Sequence, residues 1–209
     1  MNVLAIGAHF DDVELGCGGT LARHIRAGDE VYVYVATVSG FTDLRNQIVR
    51  SNEAAEAEGR KAMGILGVTQ LICGQFKTME VEFVDPLNIE ILRIVEDKKI
   101  DLVLSHWPED IHHDHQAVGK ASIHGARHVR RQLLFRSNWY HSTADFRGNF
   151  YVDITDTWEI KRRAIEAHQS ELERTHRKWI GFFENEAENA GQRIGVRYAE
   201  VFEVLKWLA

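Results

Sequence analysis

Cysteine and proline are scarce in this sequence. The 209 residues include two cysteines, Cys17 and Cys73, and two prolines, Pro86 and Pro108. Two cysteines cannot form the disulfide framework of a small secreted protein, and low cysteine use favours a reducing compartment. No proline- or serine-rich linker divides the chain, so we expect one domain over residues 1–209, located in the cytoplasm.

Long apolar runs and basic runs are also missing. No stretch approaches the roughly 20 apolar residues that cross a bilayer, and residues 1–7 lack the basic start of a signal peptide. The net charge is −6 and no lysine- or arginine-rich run is present, so binding to nucleic acid has no electrostatic support. We therefore expect a soluble protein without a membrane span or a nucleic-acid partner.

Short apolar runs alternate with helical patterns along the first two thirds of the chain. Runs rich in β-branched and aromatic residues predict strands over 3–7, 30–37, 70–73 and 101–106. Apolar residues at helical spacing predict helices over 18–27, 47–66, 85–98 and 115–131. This alternation predicts an α/β fold, with a Rossmann-like, doubly wound, mainly parallel sheet and helices on both faces.

The last third of the chain is less regular. It predicts a strand over 149–154, a helix over 155–173, a helix over 178–190 and a final strand over 197–206 that joins the same sheet. Residues 40–46 are expected to form a loop. Among the aromatic residues of this third, Trp139 and Tyr140 are the better candidates for a sugar-stacking surface, because they lie in a polar stretch.

An imidazole and two carboxylates follow the first predicted strand. His9, Asp11 and Asp12 lie at the edge of the sheet where ligands bind in open α/β folds. The nearby glycines do not form the dinucleotide fingerprint, and adjacent carboxylates would repel a pyrophosphate but suit a cation. The alternative is that Asp11 and Asp12 only cap the next helix. Capping needs one of them and does not explain His9.

A second cluster follows the fourth predicted strand. His112, His113, Asp114 and His115 lie at a strand-to-helix turn. We interpret His115 as a metal ligand, His112 as the group that polarises the scissile carbonyl and protonates the departing amine, and Asp114 as the carboxylate that orients His112. His113 is expected to face outward.

Together the two clusters supply two histidines and one carboxylate, with a fourth position left for water. This set is typical of catalytic Zn²⁺, although Fe²⁺ or another divalent metal can fill such a site. One aspartate of the first cluster would coordinate the metal while its neighbour accepts a proton from water. The pattern thus predicts a metal-assisted hydrolase.

These residues resemble the PIG-L/LmbE-like family of metal-dependent de-N-acetylases. That family carries A-H-P-D-D and H-P-D-H segments, which stand here as AHFDD at 8–12 and HHDH at 112–115. Further similar segments lie at 13–20, 50–53, 151–155, 167–170 and 195–202, so the resemblance covers nearly the whole chain. The chain departs from the pattern at Phe10 and His113, where the family has proline, and at Glu171, where it has glutamine.

The resemblance implies a role for each matching residue. It implies Zn²⁺ bound by His9, Asp12 and His115, with Asp11 as general base and His112 as acid or oxyanion stabiliser. It also implies that Arg50 reaches the substrate; the alternative is a solvated helix residue paired with Glu53 or Glu56. The implied reaction removes an N-acetyl group from a small molecule that contains an amino sugar. Relatives that form trimers or hexamers imply a homo-oligomer.

Two other functions stay open at this point. One is a different metal-dependent hydrolase, such as a phosphoesterase, which would often use two metals. The other is a catalytically silent protein that binds a sugar or nucleotide, an alternative that the replacements at Phe10 and His113 keep open. The sequence does not identify the N-acetylated substrate.

Overall fold

A computed structural model describes residues 1–209. In chain order, its elements are β1 (Asn2–Gly7), α1 (Asp12–Arg26), β2 (Glu30–Thr37), β3 (Phe41–Thr42), β4 (Ile48–Arg50), α2 (Asn52–Leu66), β5 (Gln70–Phe76), α3 (Asp85–Asp97), β6 (Leu102–His106), α4 (His113–Gly125), β7 (Arg131–Phe135), β8 (Phe150–Asp153), α5 (Trp158–Glu166), α6 (Gln169–Arg174), α7 (Lys178–Ile194) and β9 (Ala199–Trp207). None of these helices combines the length and apolar character needed to cross a membrane.

Seven strands form one sheet, in the order β5-β2-β1-β6-β7-β9-β8. The first five strands in this order run parallel, whereas β9 is antiparallel to both β7 and β8. Strands β3 and β4 form a separate two-stranded hairpin. The predicted α/β fold with a mainly parallel sheet is therefore confirmed.

Helices cover both faces of the sheet because its central strands are apolar on both sides. Along β1, Val3 and Ala5 join the core against α1, α2 and α5, whereas Leu4 and Ile6 join the core against α3 and α4. This alternation follows from the two-residue period of a strand. The carboxyl-terminal edge of the sheet is left uncovered by these layers and carries the candidate site.

Several details of the predicted secondary structure are wrong, among them the loop expected over 40–46, which contains β3, and the helix expected over 115–131, which ends at Gly125. Helix α1 begins at Asp12 instead of residue 18. The glycines predicted to form a turn lie inside this helix, where they allow close packing: a Cβ at Gly16 would lie 2.2 Å from the ring of Phe135. Residues 48–50 are a strand instead of helix, and the helix predicted over 155–173 is broken between α5 and α6. Strand β7 is missing from the prediction, because a fully buried strand lacks the alternation that separates it from a helix.

Helix α1 is interrupted at Cys17, whose φ of −147° and ψ of 16° are not helical. The carboxylate of Glu200, on β9, accepts hydrogen bonds from the freed N–H groups of Gly19 and Thr20, at 2.9 and 2.7 Å. Lys161 donates to the carbonyl oxygen of Leu15 at 2.8 Å and to Glu200 at 2.6 Å. A buried ion pair thus replaces the helical hydrogen bonds lost at the interruption.

Removing one partner of this pair should destabilise the fold. Lys161 and Glu200 are only 3% and 4% exposed, and Glu200→Gln leaves the lysine charge buried without a counter-charge. We expect the free energy of unfolding in urea to fall by about 3–5 kcal/mol. The exposed Glu186 on α7 provides the control. Glu186→Gln should change the free energy of unfolding by no more than about 0.5 kcal/mol. Equal effects of the two substitutions would contradict this account.

Candidate metal centre and active site

The two sequence clusters meet because β1 and β6 are adjacent parallel strands. Ala5 pairs with Leu104 and Ile6 with Ser105, so both strands end at the same edge of the sheet. His9 and Asp12 follow β1, and His112 to His115 follow β6 at the start of α4. The structure therefore brings together residues that are about a hundred positions apart in the chain.

Three potential ligands surround one point. The Nδ1 atom of His9 lies 3.3 Å from Nε2 of His115 and 3.4 Å from Oδ2 of Asp12, and His115 Nε2 lies 3.2 Å from Oδ1 of Asp12. Neighbouring ligands of a tetrahedral zinc ion are about 3.3–3.6 Å apart, given bonds of about 2.0–2.2 Å. The donor set and its spacing therefore fit Zn²⁺.

The charges around these imidazoles favour a cation. Burial lowers the pKa of His115, but Asp12 and Asp110 outweigh it and raise that pKa to about 10. Burial would raise the pKa of Asp12, yet His115 and His106 hold it well below its ordinary value. Without a metal, the raised pKa means that the imidazole of His115 holds a proton, which a divalent metal would displace on binding.

Each imidazole also contacts a carboxylate through its other nitrogen. His9 Nε2 lies 2.9 Å from Oδ2 of Asp114, and His115 Nδ1 lies 3.3 Å from Oδ1 of Asp110. A hydrogen-bonded carboxylate fixes the ring orientation and tautomer of a metal-binding histidine, and Asp114 makes such a bond to His9. The prediction that Asp114 orients His112 is wrong, because its carboxylate binds His9 and the backbone N–H groups of Met79 and Val81.

His112 caps α4 and lies beside the ligands. Its Nδ1 accepts a hydrogen bond from the backbone N–H of Asp114 at 3.2 Å, which leaves Nε2 as the protonated nitrogen of the neutral ring. Burial, with the charges of His115 and His9, lowers the pKa of His112 to about 3. In the protein alone the residue is therefore a neutral hydrogen-bond donor; its role in protonating the departing amine stays a prediction. His113, in contrast, is half exposed, as expected for an outward-facing residue, although its Nε2 atom lies 3.0 Å from Oδ1 of Asp114.

The backbone separates the carboxylates of Asp11 and Asp12. Asp11 has a φ of 129°, a conformation that costs a non-glycine residue about 1–3 kcal/mol. Asp12 turns toward the histidines, whereas Oδ2 of Asp11 accepts a hydrogen bond from Arg50 at 3.1 Å. In the protein alone, burial raises the pKa of Asp11 to about 7; Arg50 opposes this shift and Asp12 reinforces it. A carboxylate of this pKa suits a general base.

Arg50 lies behind Asp11. It is 3% exposed, and its Nη2 atom lies 3.1 Å from both Glu58 Oε2 and His168 Nδ1. An arginine can only donate, so His168 accepts at Nδ1 and donates from Nε2 to Glu14 at 2.8 Å. The solvated helix position considered for Arg50 is wrong. Its contact with substrate stays a prediction, and the observed contacts hold Asp11 in place.

Two residues of the site are absent from the sequence prediction. His106, the last residue of β6, is fully buried; its Nε2 atom lies 3.1 Å from Asp12 Oδ2, and its ring stacks on His115 at 4.1 Å. Ser137 donates to Asp12 Oδ1 at 2.8 Å. The only sequence signal for His106 is its position at the carboxyl end of a strand, and Ser137 carries none.

Phe10 occupies one position where the resembling family has proline. Its backbone N–H donates to Ser39 Oγ at 2.8 Å, a hydrogen bond that proline cannot make. Its side chain is 3% exposed and packs against Gly59, where an added Cβ would lie only 2.2 Å from the phenyl ring. The hydrogen bond and this packing restrain the turn between His9 and Asp11.

The candidate residues open into a cavity of about 280 Å³. His9, Asp11, Asp12, His112 and His115 border it, and its remaining wall includes the aromatic residues Phe41, Trp139, Tyr140 and Trp179. The expected placement of Trp139 and Tyr140 at a pocket is confirmed. A larger cavity of about 520 Å³ lies between α7 and β9. None of the candidate site residues named above lines it, and it shares only Leu15 and Asn138 with the first cavity. The chemistry therefore belongs to the smaller cavity.

Comparison with known proteins identifies the family. Residues 4–125 match the PIG-L family, described as GlcNAc-PI de-N-acetylase. The chain is 30% identical to diacetylchitobiose deacetylase of Thermococcus kodakarensis, over 95% of this chain and 80% of that protein. It is also 25% identical to N,N'-diacetylchitobiose deacetylase from Pyrococcus horikoshii, with a TM-score of 0.82 over 98% of this chain and 83% of that one.

A conserved protein from Thermus thermophilus shares the fold. Its TM-score is 0.85 and its identity 22%, over 99% of this chain and 96% of that chain. The family match covers more than half of the chain, and the Thermococcus relative is similar over almost all of it. The chain therefore belongs to the PIG-L family of deacetylases.

Proposed function

We propose that this protein is a zinc-dependent N-deacetylase that removes the acetyl group from an amino-sugar-containing small molecule. The observation that carries the proposal is the meeting of three metal donors, the buried carboxylate of Asp11 and the imidazole of His112 in one cavity. His9, Asp12 and His115 would hold the metal, with Fe²⁺ as another candidate. When bound, zinc activates water and polarises a carbonyl oxygen.

Asp11 would act as general base. Its carboxylate accepts one proton from the water that attacks the acetyl carbon, so a C–O bond forms. The same group then delivers that proton to the amide nitrogen as the C–N bond breaks. The second proton of the water passes from the acetic acid to the amine, so the products are acetate and an ammonium group. Arg50 holds the carboxylate in position throughout.

His112 would stabilise the carbonyl oxygen. Because its Nδ1 accepts a backbone hydrogen bond, its Nε2–H is free to donate toward negative charge that develops on that oxygen. A neutral imidazole can perform this task without losing its proton. This role assigns proton transfer to Asp11 and charge stabilisation to His112.

The two alternatives receive less support. A second possible metal set, His9, His112 and Asp114, shares His9 with the first, and the oxygens of Asp114 already accept two backbone hydrogen bonds. The structure thus offers no independent second metal position for a phosphoesterase. A silent binding protein would need neither the buried Asp11 nor its arginine. A single domain, a cytoplasmic location and a homo-oligomer stay predictions.

An acetate-release assay tests the proposed function. We expect the zinc-loaded protein to release acetate and free amine in equal amounts from N-acetylglucosamine or N,N'-diacetylchitobiose. A chelator should abolish the release and added zinc should restore it. Metal analysis should give one ion per chain. Sugar binding without acetate would favour the silent binding protein, and two metals with phosphate release would favour the phosphoesterase.

Replacement of Asp11 should separate chemistry from metal binding. Asp11→Asn keeps the size of the side chain but removes its basicity, so we expect kcat to fall by about 10²-fold or more with metal content unchanged. The exposed Asp156 provides a matched control, and Asp156→Asn should leave kcat as in the parent protein. A near-parental kcat for metal-loaded Asp11→Asn would exclude Asp11 as the base.

Replacement of Asp114 should weaken metal binding through His9. Asp114→Asn removes the charge that orients the ring, and outer carboxylates of this kind typically contribute about 10–100-fold to metal affinity. Competition with a chromogenic chelator measures the zinc affinity directly. Asp97→Asn, at an exposed position on α3, should leave the affinity unchanged, and an unchanged affinity for Asp114→Asn would contradict the role given to that residue.

A further inference from the structure

Both arginines at the wall of the site cavity are already paired with carboxylates. Arg50 is bonded to Asp11 and Glu58. Arg174, on α6, is bonded through Nε to Oε2 of Glu171 at 2.8 Å and through Nη2 to the same oxygen. Histidines apart, these are the only basic side chains among the cavity residues, which also include three carboxylates. Away from the metal position, the wall therefore offers no unpaired cation to an anionic substrate.

Glu171 and Arg174 present a donor and an acceptor side by side. Glu171 is 3% exposed, whereas the side chain of Arg174 is 43% exposed. The guanidinium lies 5.9 Å from the ring centre of Phe41, which steadies it at the cavity wall. Its third nitrogen, Nη1, makes no hydrogen bond within the protein and is free to donate to a ligand.

Aromatic rings complete this part of the cavity. Trp139 packs edge-on against Tyr140 and Trp179, with ring centres 6.1 and 6.5 Å apart, and all three border the cavity. Sugar rings combine apolar C–H faces with hydroxyl groups that both donate and accept hydrogen bonds. An arginine–carboxylate pair beside aromatic rings matches both properties without requiring a charge on the ligand.

We propose that Glu171 and Arg174 bind hydroxyl groups of an uncharged N-acetylated sugar, and that Glu171 excludes sugars carrying phosphate or carboxylate. This inference rests on the proposed deacetylase function and narrows its substrate class. Glu171 already neutralises the charge of Arg174, so an anionic group at the free Nη1 would lie close to the Glu171 carboxylate and be repelled by it. It would also approach the carboxylate of Asp11 in the same cavity. A neutral sugar avoids both costs.

A comparison of neutral and phosphorylated substrates tests the inference. The probes are methyl N-acetylglucosaminide, N-acetylglucosamine 1-phosphate and N-acetylglucosamine 6-phosphate, each assayed for acetate release. We expect kcat/KM for the neutral glycoside to exceed that for both phosphates by about tenfold or more, the size of one charge-assisted hydrogen bond. Equal use of neutral and phosphorylated sugars would overturn the inference but leave the deacetylase function intact. No acetate from any sugar would overturn both.

Glu171→Gln should shift this preference. The substitution keeps the shape of the side chain and frees the charge of Arg174, so we expect kcat/KM for the phosphates to rise by about tenfold relative to the neutral glycoside. Glu173→Gln makes the same charge change at an exposed position of the same helix and should leave the ratio unchanged. Thermal unfolding checks that both variants fold. An unchanged ratio for folded Glu171→Gln would overturn the inference.

Arg174→Met provides an independent measurement. Methionine keeps an unbranched stem against Phe41 but cannot donate to a hydroxyl group. We expect KM for the neutral glycoside to rise by about tenfold while kcat stays within about twofold, since the residue contacts the sugar and not the reacting atoms. A fall in kcat with KM unchanged, or no change in either, would overturn the inference.

Discussion

The candidate site depends on the parallel pairing of β1 with β6. Both strands are buried on both faces, and their register places Ile6 beside Ser105, so the chain leaves them at one edge of the sheet. A slip of one residue would turn each side chain to the opposite face. Helix α4 then packs tightly over the end of β6, where a Cβ at Gly119 would lie 2.8 Å from the carbonyl oxygen of His106. This close approach brings His115 onto His106.

At this edge of the sheet, each buried carboxylate has its own charged or hydrogen-bonding partners. Asp12 meets histidines, Asp11 meets Arg50, and Asp114 receives two backbone N–H groups as well as His9. Unpaired charges in such an environment would be strongly destabilising, so each partner restricts the orientation of the other. The positive φ of Met79, at 67°, belongs to the same arrangement, because the backbone N–H of this residue binds Asp114. The site is thus rigid through hydrogen bonding and not through proline.

The parts of this arrangement that follow from local signals could be predicted from the sequence. Strands β1, β2 and β6 are short apolar runs, and His9, Asp12 and His115 follow two of them in clusters of metal-binding residue types. The contacts that could not be predicted join distant segments. His106 looks like the end of a strand, Arg50 looks like part of a helix, and the break at His168 has no local marker. Proximity in the sequence suggests that the carboxylate of Asp114 binds His112. In the structure, that carboxylate is fixed by the backbone of residues 79–81 and contacts His9.

The environment of Asp11 is the strongest structural argument for catalysis over simple binding. A ligand-binding carboxylate needs only to be exposed, yet Asp11 is 8% exposed, adopts an unfavourable φ and is held by an arginine that α2 and α6 surround. Burial of a carboxylate and a positive φ each cost stability, so their presence at one residue indicates that a specific orientation of Asp11 is required. Phe10 supports the same orientation through Ser39, so the loss of proline at this turn leaves the carboxylate positioned. The positive φ of Asp11 and the hydrogen bonds that Arg50 makes to it share one explanation: this carboxylate must face the metal position without binding the metal.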